Sequence, residues 1–132
     1  MNAPEINGVL ETSLYVADMD RSVEFYRQVL GFEPVARDER ITAMSVAGRQ
    51  ILLLCKKGAS KHWPAPHDGE GELHVAFAIP REQFQDWERR LAEHKVCIEH
   101  RRDWPRGGQS LYFRDPDRHL IELATPGVWS VY

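Results

Sequence analysis

A chain of 132 residues is long enough to bury a sizeable core and too short for two independent domains of ordinary size. A hydrophobic share of 42%, a charged share of 28% and a net charge of -3 fit a soluble globular protein and argue against a general nucleic-acid binder, which carries a basic balance. No apolar run approaches the roughly 20 residues that span a bilayer, and no charged segment followed by an apolar one opens the chain, so a cytoplasmic protein is expected.

From Val9 to Val16 the sequence alternates, with Leu10, Thr12, Leu14 and Val16 on one face and Val9, Glu11, Ser13 and Tyr15 on the other, as in a half-buried strand. Asp18 or Asp20 is placed to cap a following helix whose apolar residues Met19, Val23, Tyr26 and Leu30 recur at helical spacing, and Gly31 is placed to end it. Strands follow near Glu33 to Arg37, Ile41 to Val46 and Gln50 to Lys56, with Ala47, Gly48 and Arg49 as a tight turn. Lys57 to Glu72, rich in Gly, Pro and His, reads as a loop in which His62, Trp63 and His67 are candidates to line an entrance.

The second half begins in the same way. Leu73, Val75, Phe77 and Ile79 form the apolar face of a strand opposite His74, Ala76 and Ala78. Pro80 leads into a helix carrying Phe84, Trp87 and Leu91 on one side. Strands are expected near Val96 to Arg101, Gln109 to Phe113 and His119 to Ala124, with His100 to Asp103 a solvated charge run and Asp115, Pro116 and Asp117 a structural turn. The order strand, helix, three strands thus occurs twice. Aligning Glu11 with His74 brings Val16 onto Ile79, which makes the chain one domain of two paired modules, at about residues 8–56 and 72–125, joined by a linker at about 57–71. Cys55 and Cys97 fall in strand-like segments without metal or redox spacing and read as small buried hydrophobes.

Three residues interrupt this pattern. Glu11, His74 and Glu122 are metal-ligand types on strands that alternate, where an unpartnered polar side chain is costly. Ser110, Tyr112 and Arg114 alternate in the same way opposite Leu111 and Phe113. If the apolar faces pack under the helices, the opposite faces line one polar concavity that holds all three candidate ligands.

The runs VADMDRSVEFYRQVLGF (Val16 to Phe32), ELHVAF (Glu72 to Phe77) and LYFRDPDRHLIELATPG (Leu111 to Gly127) resemble the vicinal oxygen chelate superfamily, the group of glyoxalase I, fosfomycin-resistance, bleomycin-resistance and extradiol dioxygenase proteins. The resemblance implies an α+β fold of two βαβββ modules forming a curled, eight-stranded cup, in a homodimer. It also implies a divalent-metal centre on Glu11, His74 and Glu122, at the three positions where the family carries its ligands. One imidazole and two carboxylates favour an oxygen-preferring ion, Mn²⁺, Fe²⁺ or Mg²⁺, with Ni²⁺ or Zn²⁺ also compatible.

Departures from the family pattern narrow the chemistry. The first ligand position usually holds His or Gln, and Glu11 counts against an extradiol ring-cleaving dioxygenase, which uses two His and one Glu. Glyoxalase I adds a carboxylate where this chain has Leu53, so the arrangement is closer to the fosfomycin-resistance thiol transferases, which likewise carry residues matching Ser110 and Tyr112. Where the family usually has Gly, this chain has Arg118. The implied activity is lyase, isomerase or thiol transferase chemistry on a small, anionic, oxygen-bearing molecule, with no nucleic-acid or membrane partner. Glu11 and Tyr112 are expected to be catalytic, Tyr112 as a hydrogen-bond donor to an oxyanion. Ser13, His67, Trp104, Arg106, Ser110 and Arg114 are expected to contact substrate, the two arginines by pairing with its anionic group and Trp104 as an aromatic wall. The contrasting expectation is a metal-free ligand-binding protein of the bleomycin-resistance kind.

Overall fold

The computed structural model describes residues 2–132. The chain divides into two compact units, Met1–Gly69 and Glu70–Tyr132. The first contains β1 (Glu11–Val16), α1 (Met19–Leu30), β2 (Glu33–Arg37), β3 (Ile41–Val46) and β4 (Gln50–Lys56); the second contains β5 (His74–Ala78), a 3-10 turn (Arg81–Gln83), α2 (Phe84–Glu93), β6 (His100–Asp103), β7 (Gln109–Arg114) and β8 (Leu120–Ala124). Each unit is a four-stranded sheet, ordered β1-β4-β3-β2 and β5-β8-β7-β6, whose first strand runs parallel to its last and whose other pairs are antiparallel. This is the α+β, twice-repeated βαβββ arrangement expected from the sequence. Among the described residues no helix is long and apolar enough to cross a membrane.

Local signals account for most element ends. Asp18 caps α1 by accepting a hydrogen bond from Arg21 N, and Gly31, at φ 73, ends it in the left-handed conformation that a residue without Cβ adopts readily. Ala47 and Gly48 both take positive φ in the turn between β3 and β4, as a tight hairpin turn requires. In the first unit Leu14, Val16, Tyr26, Met44, Leu52 and Leu54 are buried; in the second Ile79, Leu91, Leu111, Phe113, Ile121 and Leu123 are. Each such side chain contributes on the order of 1.5–3 kcal/mol by leaving water.

The strand register gives the repeat a structural meaning. Glu11 pairs with Ile51 and Ser13 with Leu53 in one unit, while His74 pairs with Leu120 and Ala76 with Glu122 in the other. Glu11 and His74 therefore hold equivalent places, and Leu53 stands in the first unit where Glu122 stands in the second.

Three expectations are corrected. Leu10 lies before β1 and is 69% exposed. The charge-rich His100–Asp103 segment is β6 itself, and the strand expected from Val96 starts later, because an exposed edge strand needs backbone pairing with β7 rather than apolar alternation. Cys97 is exposed and outside any strand, whereas Cys55 is buried in β4 as expected. Arg118 takes φ 67 at the place where a glycine would be free to do so, with its Nε bonded to Glu72 Oε1 at 2.9 Å.

Candidate metal and substrate site

One face of the second sheet collects polar residues through register. Ala76 on β5, Glu122 on β8, Tyr112 on β7 and His100 on β6 lie in one row across the strands; Ala78, Ala124, Ser110 and Arg102 form the next. The alternate face carries Ile121, Leu123, Leu111 and Phe113 into the core, so a one-residue slip of β8 would place Glu122 there.

His74, at the start of edge strand β5, meets Glu122 on this face, with His74 Nε2 3.2 Å from Glu122 Oε1. Each is held from behind. His74 Nδ1 lies 2.8 Å from the Leu120 carbonyl oxygen. Glu122 Oε2 accepts from the Ser110 hydroxyl at 2.5 Å, and Ser110 Oγ accepts from the Trp104 indole N–H at 2.9 Å. The hairpin between β7 and β8 sets the start of β5: Asp115 Oδ1 accepts from the N–H groups of Asp117 and His119, His119 Nδ1 accepts from Leu73 N, and Leu120 N donates to Leu73 O.

These bonds decide what the pair can hold. A carbonyl oxygen only accepts, so the bond to Leu120 requires a hydrogen on His74 Nδ1. In the neutral ring Nε2 then points a lone pair at a carboxylate oxygen, and the contact becomes favourable only with a proton or a cation between the two atoms. A histidine fixed by a backbone carbonyl and a carboxylate fixed by a hydroxyl are also the outer partners that metal ligands use. Two donors each about 2.1 Å from one ion and roughly 100° apart would stand about 3.2 Å from each other. The pair therefore fits a divalent ion. Among the described residues no group of three His, Cys, Asp or Glu side chains is assembled for a metal; Glu11, exposed at the start of β1, belongs to the first unit.

Tyr112 flanks the pair, its ring centroid 6.4 Å from that of His74 and 5.8 Å from that of His100. Burial, followed by the charge of Glu122, pushes its hydroxyl pKa upward, so Tyr112 keeps its proton at neutral pH. Beside the pair opens a cavity of about 350 Å³, lined by His74, Glu122, Ala76, Ala78, Ala124 and Trp104 among others, and closed on one side by the C-terminal residues Val128, Trp129 and Tyr132.

The remaining expected contacts fall elsewhere. Arg106 is exposed in the turn after β6 and does not line the cavity. That turn is pinned, with Trp104 N bonded to Gly108 O and Arg81 donating to the carbonyls of Gly107 and Pro126. Arg114 is engaged by Glu99 at 2.9 Å, by Glu72 and by the Arg118 carbonyl. In the first unit, Ser13 and Tyr15 face Leu53 and Cys55 across the β1–β4 pair. His67 Nδ1 lies 2.7 Å from the Tyr15 hydroxyl, and Trp63 meets the His67 ring edge-on. Burial raises the pKa values of both Tyr15 and Cys55, with nearby charge adding to the rise at Tyr15. Ala76 and Ala78 share the His74 face as expected, whereas Trp129, Tyr132 and Ala124 escaped sequence reading; the dense aromatics in VWSVY after the last strand were the available signal for the first two.

Comparison with known proteins gives a consistent picture. Residues 8–123 match the family described as Glyoxalase/Bleomycin resistance protein/Dioxygenase superfamily. The chain is 31% identical over 121 residues to Metallothiol transferase FosB of Staphylococcus haemolyticus (strain JCSC1435), covering 91% of this chain and 84% of that protein. It is 28% identical over 111 residues to Catechol-2,3-dioxygenase of Bacillus subtilis (strain 168), covering 83% of this chain but 38% of that protein. The crystal structure of Lactoylglutathione lyase from Agrobacterium tumefaciens superposes with a TM-score of 0.89 at 30% identity, covering 96% of this chain and 99% of that one.

Proposed function

The chain belongs to the glyoxalase/bleomycin resistance protein/dioxygenase superfamily, and on that premise we propose that it is a divalent-metal-dependent enzyme acting on a small oxygen-bearing, anionic substrate, with Glu11, His74 and Glu122 as metal ligands. The observation that carries this reading is the His74–Glu122 contact at 3.2 Å, in which both groups are hydrogen-bonded from behind and a proton or a cation completes the contact. The third ligand, Glu11, sits at the equivalent strand position of the other module, and the reading holds whether its own chain or the partner copy of a homodimer supplies it. A bound divalent ion would polarise a substrate oxygen and stabilise negative charge on it.

Of the reactions found among the relatives, thiol transfer fits this chain's residues best. A sulfur would attack an electrophilic carbon, the carbon–oxygen bond would break, and the released oxygen would take up a proton. The similarity to the Staphylococcus metallothiol transferase supports this order of preference. So does Leu53, an apolar residue at the register position where glyoxalase I resemblance would ask for a further carboxylate. Tyr112, protonated and beside Glu122, is placed to donate a hydrogen bond to the developing oxyanion. Ser110 acts on Glu122, holding the carboxylate rather than reacting itself. Arg106, exposed and outside the cavity lining, and Arg114, held by Glu99, would each have to move to reach an anionic substituent.

The test is calorimetric titration of the chelated protein with Mn²⁺. Wild type should bind, and Glu122→Ala and His74→Ala should each lose binding by more than about 100-fold. Undiminished affinity in both variants would overturn the metal assignment and leave the ligand-binding alternative. With metal bound, thiol consumption against small epoxides should exceed turnover of a glutathione hemithioacetal; the reverse would favour the isomerase.

A further inference from the structure

We propose that the cavity beside His74 and Glu122 is a subsite for a planar aromatic group, so that the ligand is an aryl compound whose polar end faces the His74–Glu122 pair. The inference rests on the reading of that pair as the polar pole of the site, and it adds the chemical class of the rest of the ligand.

Four observations carry it. The floor of the cavity is made by Ala76 and Ala78 on β5 and Ala124 on β8, at successive positions of one sheet face. Alanine is a poor strand residue, and three of them where β-branched side chains would pack well leave space rather than fill it. The space is about 350 Å³. A cavity of about 150 Å³ already accommodates benzene, so one ring with an oxygen-bearing substituent fits.

The wall is aromatic. Trp104 and Trp129 stand with ring centroids 6.4 Å apart and planes at 39°, and the Arg102 guanidinium lies 3.7 Å from the Trp104 centroid. At that spacing nothing inserts between the two indoles, so they act as one angled surface against which a flat ring would stack.

This surface is also held in place. Gly108 and Gly127 approach so closely that a Cβ on Gly108 would lie 2.5 Å from the carbonyl carbon of Gly127, and Arg81 bonds the carbonyls of Gly107 and Pro126. Gly127 N donates to Tyr132 O, and the Tyr132 hydroxyl donates to Ile79 O. Yet Trp129, so anchored at its backbone, is 70% exposed. A large indole presented by a fixed turn at the mouth of a cavity is an arrangement for contact with a ligand.

Trp104 joins the two ends of the site. Its ring forms part of the wall while its N–H holds Ser110, and Ser110 holds Glu122. A ring stacked there would therefore sit beside the carboxylate whose position the same indole fixes.

The experiment compares two ligands that offer the same pair of vicinal oxygens, benzohydroxamate and acetohydroxamate, by calorimetry on Mn²⁺-loaded and metal-free protein. Benzohydroxamate should bind the loaded protein about 10-fold or more tightly than acetohydroxamate, and Trp129→Ala should reduce that advantage to under about 3-fold. Ala124→Leu, which fills the floor, should exclude benzohydroxamate and leave acetohydroxamate bound. Equal affinity for the two ligands, or a phenyl advantage unchanged in both variants, would overturn the proposal. The two readings fail separately: a phenyl advantage that is the same with and without Mn²⁺ counts against the metal centre alone, and a Mn²⁺ effect without a phenyl advantage counts against the aromatic subsite alone.

Discussion

Replacing Ser110 by Ala should both destabilise the fold and loosen the metal site. Ser110 is fully buried, and its hydroxyl links the Trp104 indole N–H, at 2.9 Å, to Glu122 Oε2, at 2.5 Å. Deleting it removes a hydrogen bond to a carboxylate, worth on the order of 1.5–3 kcal/mol, and a neutral one worth about 1 kcal/mol. Glu122 is 6% exposed, so solvent replaces little of the loss, while His74 still faces its other oxygen. The expected cost is about 2–4 kcal/mol in urea unfolding followed by tryptophan fluorescence. Affinity for Mn²⁺ should fall by about 10–100-fold, the usual effect of removing an outer partner of a ligand. Trp104→Phe removes the indole N–H, and the double variant should cost less than the two single changes added, by about 1 kcal/mol, because both act on one chain of bonds. A Ser110→Ala protein that unfolds within about 0.5 kcal/mol of wild type and binds Mn²⁺ equally well would refute the claim that this relay positions Glu122.

Gly108→Ala forces a Cβ into the Gly127 backbone at 2.5 Å; a loss of about 2 kcal/mol or more is expected in thermal unfolding, and an unchanged midpoint would show that the two turns are not clamped. Arg114 holds the Glu99 carboxyl below its ordinary pKa, chiefly by hydrogen bonding, and carbon-detected titration should find Glu99 back in the ordinary range in Arg114→Ala. Because the folded-state value is the lower one, the pairing stabilises fully above the ordinary glutamate range and is lost as pH falls through the folded value, so Arg114→Ala should be less stable than wild type at neutral pH, by a margin that narrows in strong acid to what the bond to the Arg118 carbonyl contributes. Once a substrate is known, an unchanged Michaelis constant in the same variant would remove Arg114 from the substrate site. Protein loaded anaerobically with Fe²⁺ should show no appreciable oxygen uptake with a panel of catechols; robust uptake would favour the ring-cleaving chemistry of the Bacillus relative.

What the sequence made legible followed from its periodicities. The alternation around Glu11, His74 and Glu122 placed each on a strand face, and the repeat put Glu11 and His74 in equivalent positions, as the strand pairing now has them. Capping by Asp18 and termination at Gly31 were equally local. β6 was misread because an edge strand of four exposed residues satisfies its backbone by pairing and carries no apolar pattern. Trp104 was expected as an aromatic wall, but its neighbour in that wall, Trp129, was illegible for a related reason. Trp104 and Trp129 lie 25 positions apart in turns, brought together by a glycine-to-glycine backbone approach that no periodicity records.

The same contrast orders the site chemically. Features that alternation could place, His74, Glu122, Ser110 and Tyr112, belong to the strand face and form the polar pole. Features it could not place belong to the turns at one end of the sheet, where sequence is free to vary without disturbing a ladder of backbone bonds. On the proposed reading, the metal-holding residues stand on the strands and the aromatic side chains beside them in the turns. Changes confined to Trp104 and Trp129 should therefore alter which ligand is preferred, while changes at His74 and Glu122 should weaken all ligands that depend on the metal alike.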